Sequence, residues 1–154
     1  NGDRWAAAIH HKATYGKIQT QFEVIRYEFN PDNPTGISED TIVVGAFSDS
    51  YEVASKGNIY VFNISYDVPV SIGSISNLNF YNDYSVLDKN KSGFRDSKIN
   101  TLGVGFGAGD LWVNIDFIMA KNMLYLNGGT DSFTSATAST GWNTQFNINA
   151  GYYF

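Results

Sequence analysis

The run Trp142-Asn143-Thr144-Gln145-Phe146-Asn147-Ile148-Asn149-Ala150-Gly151-Tyr152-Tyr153-Phe154 decides the fold. Trp142, Thr144, Phe146, Ile148, Ala150, Tyr152 and Phe154 make one apolar and aromatic set. Asn143, Gln145, Asn147, Asn149, Gly151 and Tyr153 make the other, almost wholly amide and glycine. Successive side chains of a strand point to opposite faces, so a sustained period of two predicts a strand and not a helix. The run is also more than twice the common strand length of about five or six residues.

The preceding segments repeat the rhythm. Leu111, Val113, Ile115, Phe117 and Met119 alternate with Trp112, Asn114, Asp116 and Ile118. Leu102, Val104, Phe106 and Ala108 alternate with Thr101, Gly103, Gly105 and Gly107. Leu78, Phe80, Tyr84 and Val86 oppose Asn77, Asn79, Tyr81, Asp83 and Ser85. Tyr60, Phe62, Ile64, Tyr66 and Val68 oppose Val61, Asn63, Ser65 and Asp67. Nearer the start, Ile18, Thr20, Phe22 and Val24 oppose Lys17, Gln19, Gln21 and Glu23. Arg26 and Glu28 then fall on the apolar phase, and a bulge near Val24-Ile25 is the expected remedy. Thr41 to Ser48 is apolar on both faces. Trp5, Ala7 and Ile9 oppose Arg4, His10 and Lys12. The reading is about eight strands, at 3–14, 17–30, 40–53, 58–70, 75–88, 97–108, 111–122 and 142–154, within one domain over 1–154.

Composition narrows the class. Aromatics reach 16% and charged residues only 16%, with 15 Gly and 3 Pro, a β-rich balance. Cys is 0 and His is 2, which excludes thiol chemistry and a three-histidine metal site within one chain. A net charge of −5 argues against nucleic acid as a partner. No apolar run approaches the ~18 residues of a transmembrane helix, but transmembrane strands are amphipathic and escape hydropathy. The chain opens on Asn1-Gly2-Asp3 without Met, so a mature protein or a fragment is expected.

A soluble β-sandwich also alternates, but it exposes charged residues on its outer faces. Here the polar faces carry Asn, Gln, Ser, Gly and Asp, with few Lys or Glu. The strands have the length that a tilted strand needs to cross a bilayer, about 9–11 residues. Aromatics gather toward strand ends, at Tyr60 and Tyr66, Phe80 and Tyr84, and Trp142 and Tyr152-Tyr153-Phe154. Rings in those places suit two membrane interfaces. The expected fold is therefore a transmembrane antiparallel up-and-down β-barrel. Short turns at Ser71–Ser74 and Gly109-Asp110 fall on the periplasmic side. Lys89–Asp96 and a mobile 123–141 loop fall outside the cell. The link Asn30–Glu39 and the very short Tyr15-Gly16 do not fit that asymmetry.

Two stretches, Asn79-Phe80-Tyr81-Asn82-Asp83-Tyr84-Ser85-Val86-Leu87-Asp88-Lys89 and Gly93-Phe94-Arg95-Asp96-Ser97, resemble proteobacterial outer-membrane porins related to the phosphate-selective porins. Ala54-Ser55-Lys56-Gly57-Asn58-Ile59-Tyr60 and the ending Phe146–Phe154 share the resemblance, which spans roughly 50–154. It implies the C-terminal half of a barrel of about sixteen strands in the outer membrane of a Gram-negative bacterium. It also implies a lipid surrounding, a homotrimeric assembly and a last strand read by the barrel-assembly machinery, and charges at an outer mouth there could pair with lipopolysaccharide phosphates. The anion-selective members line their pores with Arg and Lys. This chain, with 10 Lys and Arg against 15 Asp and Glu, departs from that pattern.

The expected function is passive diffusion of small hydrophilic solutes or ions, with no cofactor, metal or catalysis. The candidate pore-lining residues are Arg4, Lys12, Lys17, Glu23, Asp67, Asp83, Asp116, Asn147 and Asn149. The inward carboxylates sit on different strands, which suits wall charge better than paired acid–base work. Lys89, Lys91, Arg95 and Asp96 are candidate charges of the outer mouth. His10 and His11, adjacent on a strand, point to opposite faces and cannot chelate one ion. Two rivals stand beside the porin. One is a complete eight-stranded barrel with a structural or adhesive role; the other is a membrane-embedded lipid-modifying enzyme.

Overall fold

A computed structural model describes residues 2–46, 49–123, 126 and 141–154. The protein is all-β. Its strands are β1 (Gly2–Tyr15), β2 (Ile18–Pro31), β3 (Thr41–Ala46), β4 (Asp49–Ala54), β5 (Lys56–Ile72), β6 (Ile75–Asp88), β7 (Ser97–Ala108), β8 (Leu111–Lys121) and β9 (Asn143–Tyr152). Seven of them form one antiparallel sheet in the order β1-β2-β5-β6-β7-β8-β9, and β3-β4 is a separate hairpin. The expected loop at 123–141 lies outside the described residues apart from Met123, Leu126 and Gly141.

Two sequence expectations are corrected. The segment 40–53 is not one long strand of the main sheet; it forms the hairpin of β3 and β4, with Thr41 opposite Ala54, and β2 pairs directly with β5. The main sheet thus holds seven strands, not eight. The bulge at Val24-Ile25 is also absent, because the β1–β2 and β2–β5 registers run unbroken through it. Arg26 and Glu28 keep the same face as Phe22 and Val24 and lie where that face ends. There Lys56 Nζ donates to Glu28 Oε1 at 2.7 Å, and the Arg26 guanidinium lies 5.9 Å over the Trp5 ring.

The seven-strand count sorts the connections by rim. Gly16-Lys17, Gly73-Ser74 and Gly109-Asp110 each make a two-residue turn, and all three lie at one end of the sheet with Tyr152. Each opens on a glycine with φ of 60–64°, the left-handed region that tight hairpins require. The three long links, 32–55, 89–96 and 122–142, leave from and return to strands at the other end. Pro69, which has no N–H to give a ladder, sits where the β5–β6 register shifts between Val68 and Ser71.

Among the described residues extensive packing runs only between ladder neighbours, and no second layer covers the sheet. Among the described residues the buried hydrophobics are Ala54 and Ala120 alone. One face presents Phe22, Phe62, Ile64, Tyr66, Phe80, Leu102, Phe117, Phe146 and Ile148, all exposed. A water-soluble chain of this length would bury such residues in a core.

Candidate functional site

The other face of the main sheet is polar and concave. Side chains from β2, β5, β6, β8 and β9 border one hollow of about 580 Å³. Strands that far apart in the ladder can share a hollow only if the sheet curls around its polar side. Asp67, Asp83 and Asp116 line it with Gln19, Gln21, Asn63, Asn79 and Asn149, and no Lys or Arg lines it.

The register builds a partner for each carboxylate. Asp67 and Asn79 are ladder partners, and Asn79 Nδ2 donates to Asp67 Oδ1 at 2.6 Å. Asn63 and Asp83 are ladder partners too, and the Asn63 amide donates to Asp83. Asp116 faces Asn147, whose Nδ2 donates to Oδ2 at 3.2 Å. From the other side the Tyr81 hydroxyl donates to Asp116 Oδ1. Neutral donors thus hold all three groups, so the arrangement orients the carboxylates without cancelling their charge.

Glycine makes the last contact possible. In the row Tyr81–Gly103–Asp116 the middle residue has no side chain. The Tyr81 ring lies across it, and a Cβ on Gly103 would run into the ring Cζ. Trp112 and Asn114 cover Gly105 in the same way, and Trp112 Nε1 donates to Asn114 Oδ1 at 3.2 Å. The glycines of β7 are thus recesses filled by neighbours.

The sequence-predicted residues are brought together in part. Asp67, Asp83, Asp116 and Asn149 border the hollow, and Asn147 is bonded to Asp116. Lys12 shares the polar face, opposite Gln21. Glu23 shares it between His10 and Val61, and Arg4 shares it opposite Phe29. Lys17 lies in the first turn, where its carbonyl accepts the Asp67 N–H at 2.9 Å. Among the described residues no ion pair joins these cations to the three aspartates. His11 faces the apolar side, opposite Phe22. Tyr81, Trp112 and the amides of Gln19, Gln21, Asn63 and Asn79 were not singled out as site residues. Their signal is the polar phase of their own strands, which becomes a site only once the register is known.

The rim of long links carries the remaining charges. Lys91 Nζ lies 2.9 Å from Asp40 Oδ2, and that ammonium holds Asp40 below the usual carboxylate range. Lys89 is not the open charge expected at that rim. It is 1% exposed, and burial pushes its ammonium down to about 8 against the pull of Asp96. Asn122 Nδ2 donates to the Asp96 carbonyl, and Ser97 Oγ to the Asn122 carbonyl, which ties the 89–96 link to the end of β8. Phe94 N–H donates to the Lys91 carbonyl, so Arg95 follows a closed turn.

Among the described residues no group of three or more His, Asp or Glu stands where it could hold a metal ion. No protein-family model, curated protein or solved structure matches this chain.

Proposed function

We propose that this chain forms part of a bacterial outer-membrane β-barrel porin, a passive channel for small hydrophilic solutes with a preference for cations. The observation that carries the reading is the inversion of the sheet. Its apolar face is open while its polar face is curled inward and hydrogen-bonded. Hydrocarbon is the solvent that favours that apolar face, and a water-filled lumen favours the amides and aspartates opposite. The rims support the same reading. Barrels of this kind carry short periplasmic turns and longer outer loops. The link that broke this asymmetry in the sequence, Asn30–Glu39, now joins the other long links at one rim. The parent barrel is wider than seven strands, because about eight strands leave an interior only just filled by side chains.

Transport in this reading is diffusion through water. Wall amides exchange hydrogen bonds with hydrated solutes, and Asp67, Asp83 and Asp116 supply fixed negative charge. That charge acts over about 8 Å at physiological ionic strength, so it biases ions that pass near the wall.

The test is conductance of the purified natural protein in a planar bilayer under a KCl gradient. We expect open channels and a reversal potential of cation-preferring sign. The triple variant Asp67→Asn, Asp83→Asn and Asp116→Asn should keep the conductance and move that potential toward zero. Absence of channels overturns the porin; anion preference in the unmodified protein overturns the role given to the aspartates.

A further inference from the structure

We infer that the main sheet closes through an odd number of further antiparallel strands set between β9 and β1, and not by contact of those two edges or by pairing between copies of this chain. The inference rests on the barrel reading above and adds the direction and number parity of what the edges bind. β1 and β9 are the two ends of the ladder, each with one row of backbone groups that no strand among the described residues pairs. Hydrocarbon offers those groups no partner, so a membrane sheet has to close.

The directions of the edges decide how. β1 runs from the rim of the long links to the first short turn, and β9 runs from the long-link rim to Tyr152 beside the Gly109-Asp110 turn. The two strands therefore run the same way. Direct contact would make a parallel seam, whereas bacterial single-chain barrels hold an even number of antiparallel strands. A second copy inserted with the same orientation would bring its β1 to this β9, again in parallel. An inverted copy would pair antiparallel but would place its long links on the opposite side of the membrane. An odd number of intervening strands satisfies both edges, and the strand next to each edge runs from the short-turn rim to the long-link rim. Its outward residues extend the apolar row Ile18–Tyr66–Phe80–Val104–Ile115–Ile148.

The composition of β9 supports an edge meant for pairing. Exposed edges in natural sheets are blunted by Lys, Pro or a bulge. Asn143–Tyr152 contains no Lys, Arg or Pro, and its register with β8 is unbroken.

These 154 residues contain no cysteine, so introduced pairs in them are unambiguous once any cysteine elsewhere in the natural protein is replaced. Single cysteines are placed along β1 and β9 of the natural protein, combined in pairs, and oxidised in its own membrane. Val113→Cys with Ala150→Cys, ladder partners across β8 and β9, is the positive control. We expect the control to link and no cysteine of β1 to link with one of β9, within a chain or between chains. Spin labels at Thr14→Cys and Gln145→Cys should then lie at least two strand spacings apart, about 10 Å or more. A disulfide between β1 and β9 within one chain overturns the inference in favour of direct closure. The same disulfide between chains overturns it in favour of self-assembly, and failure of the control overturns the sheet order itself. A urea wash of the membranes separates the two readings. A protein stripped by urea is no integral barrel, while the disulfides still report what the edges touch.

Discussion

Two neighbouring rows of the sheet, one residue apart, obey opposite rules. The row Ile18–Tyr66–Phe80–Val104–Ile115–Ile148 is apolar throughout, and Ile148 is 59% exposed. The row Gln19–Ser65–Tyr81–Gly103–Asp116–Asn147 is polar and the more shielded, with Ser65 at 9%. In water the first row would be the core and the second the surface. The lesson is that the fold stores its specificity in the polar row. The apolar row needs only a solvent, whereas Asp116 needs Tyr81 on one side, Asn147 on the other and no side chain at Gly103.

The strongest way to break the comparison is to exchange the solvents of the two faces. On the barrel proposal, Ile148→Arg should cost about 2–4 kcal/mol, the penalty of a guanidinium near the bilayer midplane, measured by denaturant titration of protein refolded into vesicles. Asn149→Arg, one residue on and beside the hollow, should cost less than about 1 kcal/mol because its side chain stays in water. The reverse order would exchange lipid and lumen.

A smaller effect tests the polar row from within. Tyr81→Phe removes the donor to Asp116 and should cost about 1.5–3 kcal/mol, as a hydrogen bond to a charged acceptor. Gly103→Ala pushes the same ring out of its recess. If the ring position is what Gly103 protects, the double variant costs clearly less than the sum of the two singles. Strict additivity would show that Gly103 serves something else.

How much of this was legible depends on the range of the signal. The long strands of the main sheet were legible because alternation is local. β6 and β7 coincide with the predicted 75–88 and 97–108. Thr41–Ala54 was not, for two reasons. Thr41 to Ser48 is apolar on both faces, and no Pro-Gly or Asn-Gly pair marks the reversal before Asp49. That one misreading made seven strands into eight and put the first turn on the wrong rim. Arg26 and Glu28 misled in a different way: a change of depth along a face looks, in one dimension, like a slip of phase. The aspartates were legible as inward charges, but their partners were not. Asn63 with Asp83 and Tyr81 with Asp116 are cross-strand pairs that exist only once the register is set.

Lys89 sharpens the comparison at the rim, where a charge of the inward phase is buried. Its folded pKa of about 8 lies below the ordinary 10.5. Between those values the unfolded chain holds a proton that the folded protein has released. Stability therefore rises with pH through this window, by up to about 1.4 kcal/mol per pH unit. Lys89→Met should abolish that rise relative to the unmodified protein. Denaturant midpoints from pH 7 to 10.5 check it, and an unchanged slope would assign the titration to another group.

The smallest effect belongs to the Lys56–Glu28 pair, which occupies the same face as Ile148 but at the long-link rim. If the apolar face ends there, these side chains already stand in water, and their attraction is screened and offset by the entropy of holding two long chains together. Lys56→Gln should then leave the denaturant midpoint unchanged at physiological salt. Depth, and not the identity of the face, is what this variant measures against Ile148→Arg. A shift approaching that of Ile148→Arg would mean that the rim is desolvated in the assembled protein. The apolar band would then reach the long links, and Arg26 and Glu28 would sit inside it as a buried charged cluster instead of marking its edge.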